Sequence, residues 1–161
     1  MNFLPRTITI FIVTSLLVWL DQATKIFAFE YLPKGNMTSY FYDLFRIGYT
    51  ENIGAFLGLG NNLSEQTRFW LFVVVIGLFL SALLCYLLFN AKQQLHSVIA
   101  LSLMFSGGVS NFYDRVVNHG AVVDFMNIGV GSIRTGIFNV ADIAIMLGVL
   151  MLILQMKSKA E

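Results

Sequence analysis

The stretches FWLFVVVIGLFLSALLCYLLFNA (residues 69–91) and QQLHSVIALSLMFSGGVSNFY (residues 93–113), separated only by Lys92, decide the fold of this chain. Neither contains an Asp, Glu, Lys or Arg. A membrane-spanning helix needs about 20 consecutive, mostly apolar residues, so the two stretches read as spans at about 69–89 and 94–113. Working outward, residues 8–29 read as a first span with Asp21 and Lys25 near its end, and residues 136–156 as a fourth with Asp142 in its early turns. Residues 90–94 can only form a tight hairpin between the second and third spans. The longer connections, about 30–67 and 114–134, then lie together on the opposite face, and both termini share the hairpin's side. The expected fold class is an all-α membrane protein of four transmembrane helices, with a short outer loop between helices three and four.

Composition agrees with this reading. Of the 161 residues, 57% are apolar or aromatic and 12% are charged, with a mean hydropathy of +0.75, whereas a soluble domain carries about 25% charge. Four spans would use roughly 80 residues, so residues 1–161 are expected to form a single integral-membrane unit. A formal charge of +1 with no long basic or acidic run excludes nucleic acid as a partner. The lone Cys85 permits no internal disulfide, and with His96 and His119 it makes no zinc or haem spacing, so no metal or cofactor is expected. Ala82, Leu83 and Leu84 precede Cys85 without the small residue expected just before a lipid-modified cysteine, so the chain is not itself a lipoprotein. Arg6 ahead of residues 8–20 resembles the start of a signal peptide, but no small-residue cleavage site follows, which favours a retained span.

Orientation follows from basic residues in short flanks. The termini and hairpin hold Arg6, Lys92, Lys157 and Lys159 against Glu161 alone, which assigns that side to the cytoplasm. The opposite side holds six basic residues (Lys25, Lys34, Arg46, Arg68, Arg115 and Arg134), more by raw count, but it is much longer and carries the other eight acids. There, Met37 to Thr50 is rich in Tyr, Phe, Thr and Ile and suits short strands, followed by Gly54, Gly58 and Gly60. Tyr40, Phe41, Tyr42 and Phe45 suit the headgroup level, and for this stretch a loop anchored by these aromatics is the favoured reading over strands.

Ionisable groups at membrane depth cost about 2.5–3.5 kcal/mol each on insertion scales, so each needs a partner or a function. Asp21 and Lys25, four residues apart on one helix, fit an ion pair that locks the bundle. Asn111, Asp114 and Arg115 fall on one face at the outer end of the third span, where the adjacent acid and base suit a polar anchor. Asn139 and Asp142 repeat the Asn-to-Asp spacing on the fourth. Asp124 sits in the apolar segment 121–126, so Asp124 and Asp142 flank one outer connection. Two carboxylates in a low-dielectric site do not ionise together, which supplies a general base to activate water and a general acid for a leaving amine. A small proton-coupled transporter would also use such acids, near the midplane and on broken helices; a non-catalytic membrane binding protein is the third reading.

Five motifs occur in order: DQATK (21–25), ENIGAFLG (51–58), GGVSNFYDR (107–115), AVVDF (121–125) and FNVAD (138–142). In these the chain resembles the bacterial lipoprotein signal peptidases (signal peptidase II), integral-membrane aspartic peptidases. The resemblance implies four spans, cytoplasmic termini, and a small β-rich cradle on the extracytoplasmic face of the bacterial inner membrane. It implies Asp124 and Asp142 as the catalytic pair. Asn52, Asn111, Arg115 and Asn139 would line the substrate site, and Asp21, Lys25 and Asp114 would be structural polar residues. The implied substrate is a prolipoprotein carrying diacylglycerol on its Cys, cut on the N-terminal side of that Cys by a monomeric enzyme surrounded by membrane lipid, without metal or cofactor. Phe56, Leu57 and Ser110 depart from the family pattern and are expected to add bulk close to the site, with the consequence for substrate preference and inhibitor fit left open by the sequence.

Overall fold

A computed structural model describes residues 1–55 and 59–158. The expectations placed on Phe56, Leu57, Gly58, Lys159 and Glu161 lie outside the described residues.

Among the described residues, four helical runs are long and apolar enough to cross a membrane. The first is α1 (Phe3–Tyr31). The second begins as α2 (Glu65–Phe69), passes through a π-helical segment, Trp70–Val75, and continues as α3 (Ile76–Phe89). The third is α4 (Leu95–Val117) and the fourth α5 (Val140–Ser158). Between them the chain forms β1 (Thr38–Tyr40), β2 (Phe45–Asn52), β3 (Val122–Val130) and β4 (Ile133–Arg134), a four-stranded antiparallel sheet in the order β1-β2-β3-β4.

Helix α4 is the central helix, packed against α1, α3 and α5. Lipid tails are as apolar as Leu, so helices in a bilayer associate through small residues and interhelical hydrogen bonds rather than a hydrophobic drive. The sequence of α4 supplies both. Ser102, Ser106 and Ser110 recur every fourth residue and are fully buried; Ser106 Oγ lies 3.3 Å from Thr14 Oγ1 on α1, and Ser110 Oγ donates to Asp21 at 2.7 Å. On another face Gly107 lets α5 approach so closely that a Cβ there would stand 2.3 Å from the Ala141 carbonyl oxygen. Gly148 on α5 meets the Ala100 carbonyl in the same way, at 2.5 Å. Gly107→Ala is therefore expected to lower stability by about 1–3 kcal/mol, read as a fall in thermal unfolding temperature in detergent. Gly77→Ala, where the nearest atom is an edge of the Phe112 ring at 3.2 Å, should cost clearly less.

At the end shared by Met1 and the α3–α4 hairpin, the terminal ammonium donates to the carbonyls of Ala91 (3.2 Å) and Gln93 (3.0 Å). Arg6 is buried and donates to the carbonyls of Leu88 and Asn90 at 2.5 and 2.8 Å, satisfying groups that the end of α3 leaves unpaired. It caps a helix rather than acting as a free flanking charge.

At the opposite end three expectations about the third and fourth spans and their connection change. The third span continues through Asp114 and Arg115 to Val117, because both side chains find partners inside the protein. The connection expected as a short outer loop is β3 and β4. The left-handed pair His119 (φ 53°) and Gly120 (φ 90°) ends α4, with the Gly120 amide on the Arg115 carbonyl at 2.9 Å, and sends the chain into β3. Strand β3 pairs with β2 in a register that sets Thr50 opposite Asp124 and Asn52 opposite Val122. The fourth helix starts at Val140, later than expected, because Phe138 still bridges Met126. The region 37–50 is not the aromatic-anchored loop favoured for it but forms strands at both ends, joined by a turn with exposed Phe41 and Tyr42.

Candidate active site

The first turn of α5 is fixed by a reciprocal cap. Asn139 Oδ1 accepts from the Asp142 amide at 2.9 Å, and Asp142 Oδ2 accepts from the Asn139 amide at 3.2 Å, so two orphan donors are satisfied at once. With the Asn139 oxygen committed to an amide, its Nδ2 must face acceptors. It donates to Asp124 Oδ1 at 2.7 Å, with Asn111 Oδ1 and the Val123 carbonyl at 3.1 and 3.2 Å. Asn139 thus holds one carboxylate through its side chain and the other through its backbone.

The remaining carboxylate oxygens are held in the same manner. Asn52, on β2, accepts the Gly54 amide on Oδ1 (3.0 Å) and donates Nδ2 to Asp124 Oδ2 (3.0 Å). Asn111, on α4, accepts Lys25 Nζ on Oδ1 (2.8 Å) and donates Nδ2 to Asp142 Oδ1 (2.9 Å). Each of the four carboxylate oxygens therefore accepts one protein N–H and retains a second lone pair. Asp124 and Asp142 line one cavity of about 710 Å³ together with Asn52, Asn111 and Arg115, and Ile143, Met146, Leu147 and Leu150 form an apolar wall along α5. Two opposing effects act on Asp124. Its hydrogen bonds from Asn52 and Asn139 favour the anion, but burial and then the nearby Asp142 carboxylate outweigh them and push its pKa up to about 7.

Arg115 is buried beside this cavity, donating to the Gly54 and Asn111 carbonyls at 2.8 and 3.2 Å, with its guanidinium 5.4 Å from the centre of the Phe72 ring. Behind Asn111, Lys25 Nζ contacts Asp21 Oδ2 (2.6 Å) and Asp114 Oδ2 (2.8 Å). Among the described residues, no three His, Cys, Asp or Glu side chains converge as a metal site.

Comparison with known proteins bears on this arrangement. A family model described as Signal peptidase (SPase) II matches residues 13–158. The chain belongs to the signal peptidase II family. A lipoprotein signal peptidase of Brevibacillus brevis is 33% identical over 89% of this chain and 91% of its own length. That of Syntrophus aciditrophicus is 31% identical over 98% of both. A solved bacterial membrane enzyme, determined by the in meso method at 2.3 Å resolution, superposes with a TM-score of 0.80 at 29% identity, covering 95% of this chain and 90% of that one.

Against this family background, all six residues expected to catalyse or bind substrate lie in one hydrogen-bonded array, and five of them line the cavity; Asn139 is fully buried behind it. Asp21, Lys25 and Asp114 form the buried ion cluster on the far side of Asn111. Ser110 differs from its expectation: it is fully buried, faces Asp21 and Gln22 on α1, and does not line the cavity. Sequence reading also missed Gln22, which donates to Asp114 Oδ1 at 2.8 Å and to Ser110 Oγ at 3.0 Å, and Phe72, whose ring lies over Arg115. The first was detectable: Gln22 falls beside Asp21 in the DQATK motif.

Proposed function

We propose that this peptidase, a member of a family that removes signal peptides from prolipoproteins, uses Asp124 and Asp142 as its catalytic pair. The observation that carries this is the placement of both carboxylates on one cavity, each oxygen held by one donor, with Asp124 raised to about 7. With one proton shared between them, the ionised carboxylate removes a proton from water as the water oxygen attacks the scissile carbonyl. The protonated partner then gives its proton to the departing amine as the C–N bond breaks. The products are the free signal peptide and a new amino terminus on the lipid-bearing Cys. Asn52, Asn111 and Arg115 border the bond to be cut, and the apolar wall on α5 accepts the diacylglyceryl chains and signal helix. The chain acts as a monomer and a single domain in the bacterial inner membrane. Its active site lies on the extracytoplasmic side, and its termini lie with the hairpin in the cytoplasm.

Two measurements test the pair. Purified protein should cleave a diacylglyceryl-modified prolipoprotein and leave the unmodified precursor intact. Its kcat should fall as pH rises through about 7, because below that value the pair retains the shared proton and above it the general acid is lost. Asn52→Ala removes a bond that favours the charged form, so the alkaline limb should move to higher pH. A rate that is flat from about pH 6 to 9 would contradict the shared-proton pair.

A further inference from the structure

A second cavity, of about 230 Å³, lies on the other side of Arg115, between the outer end of α4 and the start of the second span. Arg115 borders both cavities. Its Nε is buried without a hydrogen-bond partner. Around it stand Arg68, His119 and Glu65, with Phe69 and Phe72 as apolar wall. Among the described residues, the side chains of Glu65 and His119 take part in no hydrogen bond or ion pair, and Arg68 uses one nitrogen on the Leu63 carbonyl at 2.6 Å. Glu65 does not pair with Arg68 despite the short spacing. Trp70, next in sequence to the lining residue Phe69, and Tyr113, two residues before Arg115, are exposed, and such rings mark the membrane–water interface. The cavity is thus placed at headgroup depth, offers two guanidinium groups and an imidazole beside one carboxylate, and has an apolar wall.

We infer that this cavity binds the headgroup of a zwitterionic aminophospholipid, its phosphate between Arg68, His119 and Arg115 and its ammonium on Glu65. A guanidinium and a phosphate make strong charge-assisted hydrogen bonds, and a single acid among the cations suits the ammonium that phosphatidylethanolamine carries and phosphatidylglycerol lacks. The diacylglyceryl group of the substrate has neither phosphate nor ammonium, so this site is distinct from the cleavage cavity. Because Arg115 serves both, occupancy by lipid would steady the guanidinium beside the scissile bond.

The test is native mass spectrometry of the delipidated full chain offered equal amounts of phosphatidylethanolamine and phosphatidylglycerol. The wild type should retain the former several-fold more than the latter. Glu65→Gln should abolish that preference while retaining lipid, and the pair Arg68→Gln with His119→Gln should lower retention of both lipids by about tenfold. Phosphoethanolamine and inorganic phosphate in excess should displace little, since they lack acyl chains. Unchanged retention in the variants would overturn the proposal. Equally effective displacement by phosphoethanolamine would assign the site to a soluble headgroup, and displacement by a peptide of the mature lipoprotein would assign it to the substrate chain; either result would overturn it too.

Discussion

Asp124→Asn and Asp142→Asn are each expected to lower turnover of diacylglyceryl prolipoprotein by at least about a thousandfold, since each removes one half of the proposed general acid–base pair. The size of the loss follows from the hydrogen bonds as well as from the lost proton. Asn52 and Asn139 both present Nδ2 to Asp124, and neither amide can turn over, because its oxygen is committed to the amide of Gly54 or of Asp142. An Asn at 124 must therefore set its own NH2 against one of these donors. The same holds at 142, where Asn111 is fixed by Lys25 and the other donor is a backbone amide. Each variant should lose about 1–3 kcal/mol of stability as well as activity. The two effects separate experimentally: thermal unfolding reports the first, and single-turnover cleavage well below the unfolding temperature reports the second. Wild-type turnover in either variant would remove that residue from the catalytic pair.

What could be read from the chain and what could not divides along physical lines. The spans were legible because a bilayer demands about 20 apolar residues and the charges stop at their ends. The Asp21–Lys25 pair was legible because residues four apart share a helix face. Asp114 and Arg115 show the limit. As neighbours they suggested a single polar anchor, yet consecutive helix residues point about 100° apart, and the structure sends Asp114 to Lys25 and the Val123 amide while Arg115 reaches Gly54 and Phe72. Residues 122–125 gave no alternating strand pattern because all four are buried, so the strand that carries Asp124 read as a hydrophobic loop. The orientation of Ser110 depended on which helix packs against that face of α4, which no local pattern states, although the four-residue spacing of Ser102, Ser106 and Ser110 marks an interhelical seam.

The buried ion cluster leads to the other large effect. Lys25→Met leaves Asp21 and Asp114, both almost wholly buried, facing one another with no cation between them. Their remaining donors are Ser110 Oγ and the Ala141 amide on Asp21, and Gln22 Nε2 and the Val123 amide on Asp114. These satisfy hydrogen bonds but not charge. Removing one partner of a buried ion pair costs about 3–5 kcal/mol because an uncompensated charge remains, and for a chain of this length that corresponds to a fall of about 10 °C in unfolding temperature. If the cost arises from the orphaned charge, deleting one acid in the same background should recover part of it, so Lys25→Met with Asp114→Asn should unfold at a higher temperature than Lys25→Met alone. If instead packing of the lysine stem dominates, the second substitution should lower stability further. The cluster also reaches the cavity, since Lys25 fixes the amide of Asn111 and through it one oxygen of Asp142. The double variant, though recovered in stability, should therefore still cleave more slowly than the wild type, because stability depends on the charge balance of the cluster and the aim of Asn111 depends on the lysine itself.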